Sequence, residues 1–261
     1  MTTVQRMLLG ALAAAAAALA GCGAPAKRVV YPERLRSPYT HQPQMIWAVA
    51  PPRNESGVSV VDELAVGDAL AEELGQVKGI DCLPINRTLG AMRALQLGSI
   101  DTPAQAKALA RALGADAVVV STVTSWQPYH PPRIGLNLAL FAPTSLTPDD
   151  ASLADDLRGL REAASSGGPG SPKPGGPSGA LSGVSLVLDA SNTAIMAKVQ
   201  TYGEARVERN DPMGWERYSK SMSLYTRFAC HTAVERLLDA ERSRLSQSTV
   251  TQAADKTDSA R

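Results

Sequence analysis

The chain is poor in the residues from which most active sites and large aromatic cores are built. Three histidines, three cysteines, two phenylalanines and three tryptophans are spread over 261 residues. No H-E-x-x-H, G-x-S-x-G or Cys-x-x-Cys pattern occurs, and no Gly-rich loop opens a helix as a phosphate cradle would. His41 lies in a Pro-rich stretch, His130 in a Pro-flanked loop and His231 in the last helical segment, a scatter without metal-ligand spacing. Asp149-Asp150 and Asp155-Asp156 fall near the start of a short helical pattern, where the macrodipole and solvation account for them. The expectation is therefore a protein that is not an enzyme, with no catalytic residues, no cofactor and no metal. Its core must come mainly from Ala, Val and Leu, and the length suits one domain.

An excess of charge is also missing. The whole chain carries 26 basic and 25 acidic residues, and beyond residue 21 the numbers become 25 and 25, because Arg6 is the one charge before that point. Nucleic-acid binders rely on clustered Lys and Arg to neutralise phosphates, so no nucleic-acid partner is expected. The longest basic feature is Lys27-Arg28.

One long apolar run is present, from Met7 to Ala20 behind Arg6, and it is too short to span a bilayer. It ends in Leu19-Ala20-Gly21-Cys22, with small residues where a signal peptidase needs them, so residues 1–21 read as a signal peptide. The pattern resembles bacterial lipoprotein signals. That resemblance implies cleavage before Cys22, a diacylglycerol thioether on its sulfur and an acyl chain on its freed amine. Several chains on one residue exceed the marginal hold of a single chain. Gly23, where such proteins use Asp for inner-membrane retention, implies the periplasmic face of the outer membrane. The alternative is an ordinary secretory signal that Cys22 happens to follow. Cys82 and Cys230 then share an oxidising compartment; a disulfide is one reading and two buried thiols the favoured one, since both fall in apolar patterns.

Residues 22–44 contain Pro25, Pro32, Pro38 and Pro43 and read as a lipidated, flexible tether. A single domain is expected over 45–246, followed by a polar, frayed tail at 247–261. Met45 to Ala50 reads as a strand. Val66, Leu70, Leu74 and Val77 recur at helical spacing within Ser59 to Lys78. Ile80 to Ile85 reads as a strand and Asn86 as the cap of a helix reaching about Leu97. Thr102-Pro103-Ala104-Gln105 is a capping box with Pro at the first helical position. The Val-rich stretch from Ala117 to Val123 predicts a strand covered on both faces. Arg133 to Phe141 alternates, predicting one packed and one wet face, and Gly183 to Asp189 alternates likewise. A turn at Ser191-Asn192 and a further strand from Ala194 to about Val207 are expected, then a long helix from Trp215 to Ser246. Between the alternating strands lies an insertion, 142–182, with a Leu153, Leu157, Leu160 stripe and a Gly/Pro/Ser-rich stretch that reads as disordered. It is either a partner-binding arm or, as favoured, a tolerated surface loop.

The loop from Trp126 to Arg133 concentrates two aromatics and three prolines, a stiff surface suited to binding. Trp126, Tyr129 and Arg133 are candidate partner contacts; a rigid crossover covering the sheet end explains them equally. Phe228 joins them because it and Leu224 fall among the charged positions of the last helix, where an aromatic either marks an interface or packs under the preceding loop.

Val49-Ala50-Pro51 with Asn54 and Ser56-Gly57, and Leu113-Gly114-Ala115-Asp116-Ala117-Val118-Val119-Val120, resemble the α/β domain shared by the TolB amino-terminal domain, the curli secretion lipoprotein CsgG and LpoB. The resemblance covers about residues 45–141 and resumes over 183–245. It implies an α/β (α+β) sandwich, with a central mixed sheet of about five to six strands packed by helices and no cofactor. The expected function is a lipid-anchored, non-enzymatic interaction module that serves an unidentified envelope protein as an accessory or assembly factor. A homo-oligomeric ring subunit of a secretion channel is the alternative, and a cell-wall-active enzyme or small-ligand binder ranks below it.

Overall fold

The computed structural model describes residues 35–40, 44–143, 179–208 and 211–258, with side chains as far as residue 247. Cys22 and most of the insertion lie outside the described residues.

Alternating and continuous apolar runs build one six-stranded mixed sheet. Strands β1 (Met45–Val49), β2 (Arg53–Asn54), β3 (Ile80–Leu83), β4 (Ala117–Gln127), β5 (Arg133–Phe141) and β6 (Ser182–Asp189) take the order β3-β1-β4-β5-β6, with β2 continuing beside β4 beyond the end of β1. β1 pairs parallel to β3 and β4, whereas β4, β5 and β6 form an antiparallel meander. β4 is buried on both faces, as its continuous Val run requires: Val119 belongs to one core and Val118 to the other.

On the first face lie α1 (Glu63–Gly75) and α6 (Met222–Asp258), whose Val66, Leu70, Leu74, Val234, Leu237 and Leu238 close the larger core over Trp47 and Leu136. On the second lie α2 (Ile85–Ala94) and α3 (Pro103–Leu113), which bury Met92, Leu109 and Ala110 against Ala48 and Val118. The start signals act as the chemistry requires. Asp62 accepts from the Ala65 N–H at 2.9 Å to open α1. Thr102 and Gln105 cap one another's backbone at the start of α3, and Gly114 ends it at φ 63°.

Four expectations are corrected. Ala194 to Val207 forms a helix, α4 (Thr193–Glu204), instead of a strand. Asn192 accepts from the Ala194 N–H at 2.8 Å, so it is a helix cap and no hairpin turn; Val199, Tyr202 and Gly203 then share one buried helical face. The second face of β5 is not wet, because α3 crosses it and Ala106 packs with Ala139 and Phe141. Phe228 is 2% exposed, inside the larger core. The apolar arc of α6 is wider than its own pattern suggests because α4 and α5 (Arg217–Lys220) fold over it, setting Tyr202 of α4 5.6 Å from the Phe228 ring. The long helix is also divided: a 3-10 turn at Gly214–Glu216 and α5 precede a break at Ser221, where the backbone turns extended.

Candidate functional site

The β4–β5 turn holds the aromatic loop at both ends. Within it Trp126 is half-buried against the larger core and Pro132 is buried, while Tyr129 at the tip is 81% exposed. The His130 ring lies 3.3 Å from the Ser219 carbonyl, tying the loop to α5. Arg133 clasps Asp189 across the strand ends, Nε to Oδ2 at 2.7 Å and a terminal guanidinium nitrogen at 2.5 Å. The Ser191 hydroxyl and N–H donate to the other oxygen of Asp189 at 2.6 and 2.8 Å, and the Ala190 N–H donates to the Pro132 carbonyl. The Ser191 donors, helped by Arg133, hold the Asp189 carboxyl below the usual carboxylate range. Trp126, Tyr129 and Arg133 thus belong to one rigid end of the meander. Phe228 is separated from them by burial.

β6 is an edge of the sheet, with no strand on its outer side among the described residues. Its register with β5 runs without irregularity from Arg133↔Asp189 to Leu140↔Ser182. The Ala190-to-Pro132 bond fixes which residues face β5, so alternation turns the backbone groups of Ser185 and Val187 outward. Val187 is 56% exposed, and no Lys or Pro interrupts the strand.

Two buried carboxylates escaped the sequence reading. Glu73 of α1 accepts from the Tyr202 hydroxyl at 2.9 Å and from His231 Nδ1 at 2.8 Å, with an Arg206 guanidinium nitrogen at 3.6 Å. The carboxylate fixes the proton on Nδ1, so the 3.5 Å approach of Arg206 to that nitrogen is a contact and no hydrogen bond. Arg206 instead stacks 3.7 Å over the Tyr202 ring. Burial first, and then the Glu73 charge, push the Tyr202 hydroxyl well above its ordinary range. Glu241 of α6 is fully buried; it accepts from the Tyr39 hydroxyl at 2.5 Å and from Arg244 at 2.6 and 2.9 Å. The available signal was an acid on an apolar arc: Glu73 sits between Leu70 and Leu74 and Val77, and Glu241 follows Leu237 and Leu238.

These polar groups are engaged with one another across packed elements. Cys82 and Cys230 are free thiols, and burial pushes Cys82 up to about 12 and Cys230 higher still. Among the described residues no group of three His, Cys, Asp or Glu side chains is placed to hold a metal, and no helix is long and apolar enough to cross a membrane.

Part of the chain is similar to the LpoB C-terminal domain from Salmonella enterica, at 19% identity and TM-score 0.33, over 40% of this chain and 76% of that one. LpoB is in the group that the sequence resembles. A lipoprotein from Neisseria meningitidis is similar at 15% identity and TM-score 0.37, over 60% of this chain and 94% of that one. A hypothetical protein from Chlamydia trachomatis is similar at 12% identity and TM-score 0.34, over 77% and 95%. No protein-family model and no curated protein matches the chain.

Proposed function

We propose that this protein is a lipid-anchored, non-enzymatic module on the periplasmic face of the outer membrane, serving a cell-envelope complex as an accessory or assembly factor. The anchor reading rests on Leu19-Ala20-Gly21-Cys22, and the interaction reading on one observation: Tyr129, 81% exposed, stands on a loop fixed at both ends. A rigid exposed aromatic offers contact area with little entropy to lose on binding. Arg133 beside it is held by Asp189 and so presents its remaining donors in a set direction.

The experiment has two arms. Replacing Cys22 with Ser is expected to move the protein from the membrane to the soluble periplasmic fraction; persistence on the membrane removes the anchor from the reading. A photo-crosslinking residue at Tyr129 is expected to give one discrete envelope adduct in cells, and the same probe at Val60, which is 70% exposed, none. Equal adducts at both sites would remove the loop's role.

A second reading, a homo-oligomeric ring subunit, draws support from the edge of β6, which no strand covers among the described residues and no Lys or Pro interrupts. Light scattering of the C22S protein over a concentration series separates the two: a closed oligomer favours the ring, a monomer the accessory module.

A further inference from the structure

The end of the tether is not free. The Ser37 N–H donates to the Lys78 carbonyl at 2.9 Å, and the Lys78 N–H donates to the Leu35 carbonyl at 2.8 Å, so Leu35–Ser37 adds a short parallel bridge just before β3. Arg242 of α6 donates to the Arg36 carbonyl at 3.3 Å. Tyr39 lies edge-on to the fully buried Trp47 ring, centroids 6.4 Å apart, and its hydroxyl reaches Glu241.

We infer that Leu35–Thr40 is a latch with a docked and an undocked state, and that its release lengthens the anchor that joins the domain to the membrane. The inference rests on the lipid-anchor reading for its membrane consequence alone. Three features make the segment able to open without unfolding the domain. Arg36 and Thr40 are exposed and the residues between them half-buried, so the apolar contact given up on opening is confined to Leu35 and Tyr39, both only partly buried against the larger core. Glu241 keeps its two bonds from Arg244 when Tyr39 leaves, so no buried carboxylate is stranded. The freed Lys78 backbone groups precede an edge strand and meet water. Fully extended, the chain from Cys22 reaches at most about 45 Å to Leu35 and about 80 Å to Met45. Opening therefore adds about 35 Å of reach and frees the orientation that the bridge and the Tyr39 ring impose.

The test uses the full lipoprotein in vesicles of phosphatidylethanolamine and phosphatidylglycerol, with a donor dye on Cys introduced at Tyr129 and acceptors on the vesicle surface. Y39A is expected to speed hydrogen exchange at the Ser37 and Lys78 amides at least tenfold and to lower energy transfer. Y39F, which keeps the ring on Trp47, is expected to give a smaller change in the same direction. An oxidised Arg36→Cys, Lys78→Cys pair added to Y39A is expected to restore slow exchange at Ser37 and wild-type transfer. The inference is overturned if Y39A leaves both readouts at wild-type values, or if the wild-type amides already exchange as in an unstructured chain. A protein that does not float with vesicles but shows the exchange pattern refutes the anchor and leaves the latch standing.

Discussion

Gly135 on β5 faces the step between Val123 and Ser125 where β4 departs from regular register. A Cβ built there would meet Thr124 Oγ1 at 2.5 Å and the Ser125 backbone nitrogen at 3.0 Å, so the irregular strand fits only against a residue without a side chain. G135A is expected to lower the denaturant midpoint by an amount equal to about 1–3 kcal/mol, the usual cost of overpacking; an unchanged midpoint would show that the bulge can shift. The thiols give a second prediction at this scale. With Cys230 fully buried and Cys82 pushed up to about 12, neither supplies much thiolate near neutrality. A thiol reagent at pH 8 should label the folded C22S protein slowly, the half-buried Cys82 ahead of the fully buried Cys230, then label both at once on denaturation. Fast native labelling of either would contradict their placement.

Between strands, the Arg133–Asp189–Ser191 clasp joins the start of β5 to the end of β6 and leads directly into the cap of α4. Because the folded state holds the Asp189 carboxyl below its ordinary range, its contribution to stability is complete above pH about 4 and is lost as pH falls through the lower folded value. D189N is therefore expected to weaken the protein at pH 7 and to flatten the acid limb of its stability profile; parallel profiles would show that Asp189 is not linked to folding. Elements with local, self-contained signals were legible in the sequence. The capping box at Thr102 and Gln105, the doubly covered β4 and the length of β5 are all written in consecutive residues. Asn192 was ambiguous, since a turn and a helix cap use the same side-chain acceptor, and the packing of Val199 and Tyr202 decides for the cap. The covered second face of β5 depends on where α3 crosses, a tertiary fact that alternation in one strand does not contain. The same division applies to the candidate site: Trp126, Tyr129 and Arg133 were visible as a local cluster, whereas Phe228 was misplaced because the elements that cover it lie earlier in the chain.

The larger core is tied together by a carboxylate that no single element explains. Glu73 comes from α1, Tyr202 from α4, Arg206 from the turn just after it and His231 from α6, so one buried group fixes three helices against each other. The cluster is asymmetric: Glu73 is 4% exposed, whereas the Arg206 and His231 side chains are 18% and 21% exposed and can turn to water. Removing the acid therefore leaves groups that solvent can rescue, while removing the bases leaves an acid that it cannot reach. E73Q is expected to cost about 1.5–3 kcal/mol, the range for hydrogen bonds to a charged group. The double variant R206A/H231A, which leaves the Glu73 carboxylate only the Tyr202 hydroxyl, is expected to cost about 3–5 kcal/mol. Urea unfolding of the two proteins at pH 7 measures the order directly. If E73Q proves the more damaging, Glu73 is the group that water can reach, and α4 does not seal the cluster from solvent. If the double variant does, the seal holds and the docking of α4 is part of the same cooperative unit as α1 and α6, so the strand-to-helix correction at Thr193–Glu204 concerns the stability of the whole domain.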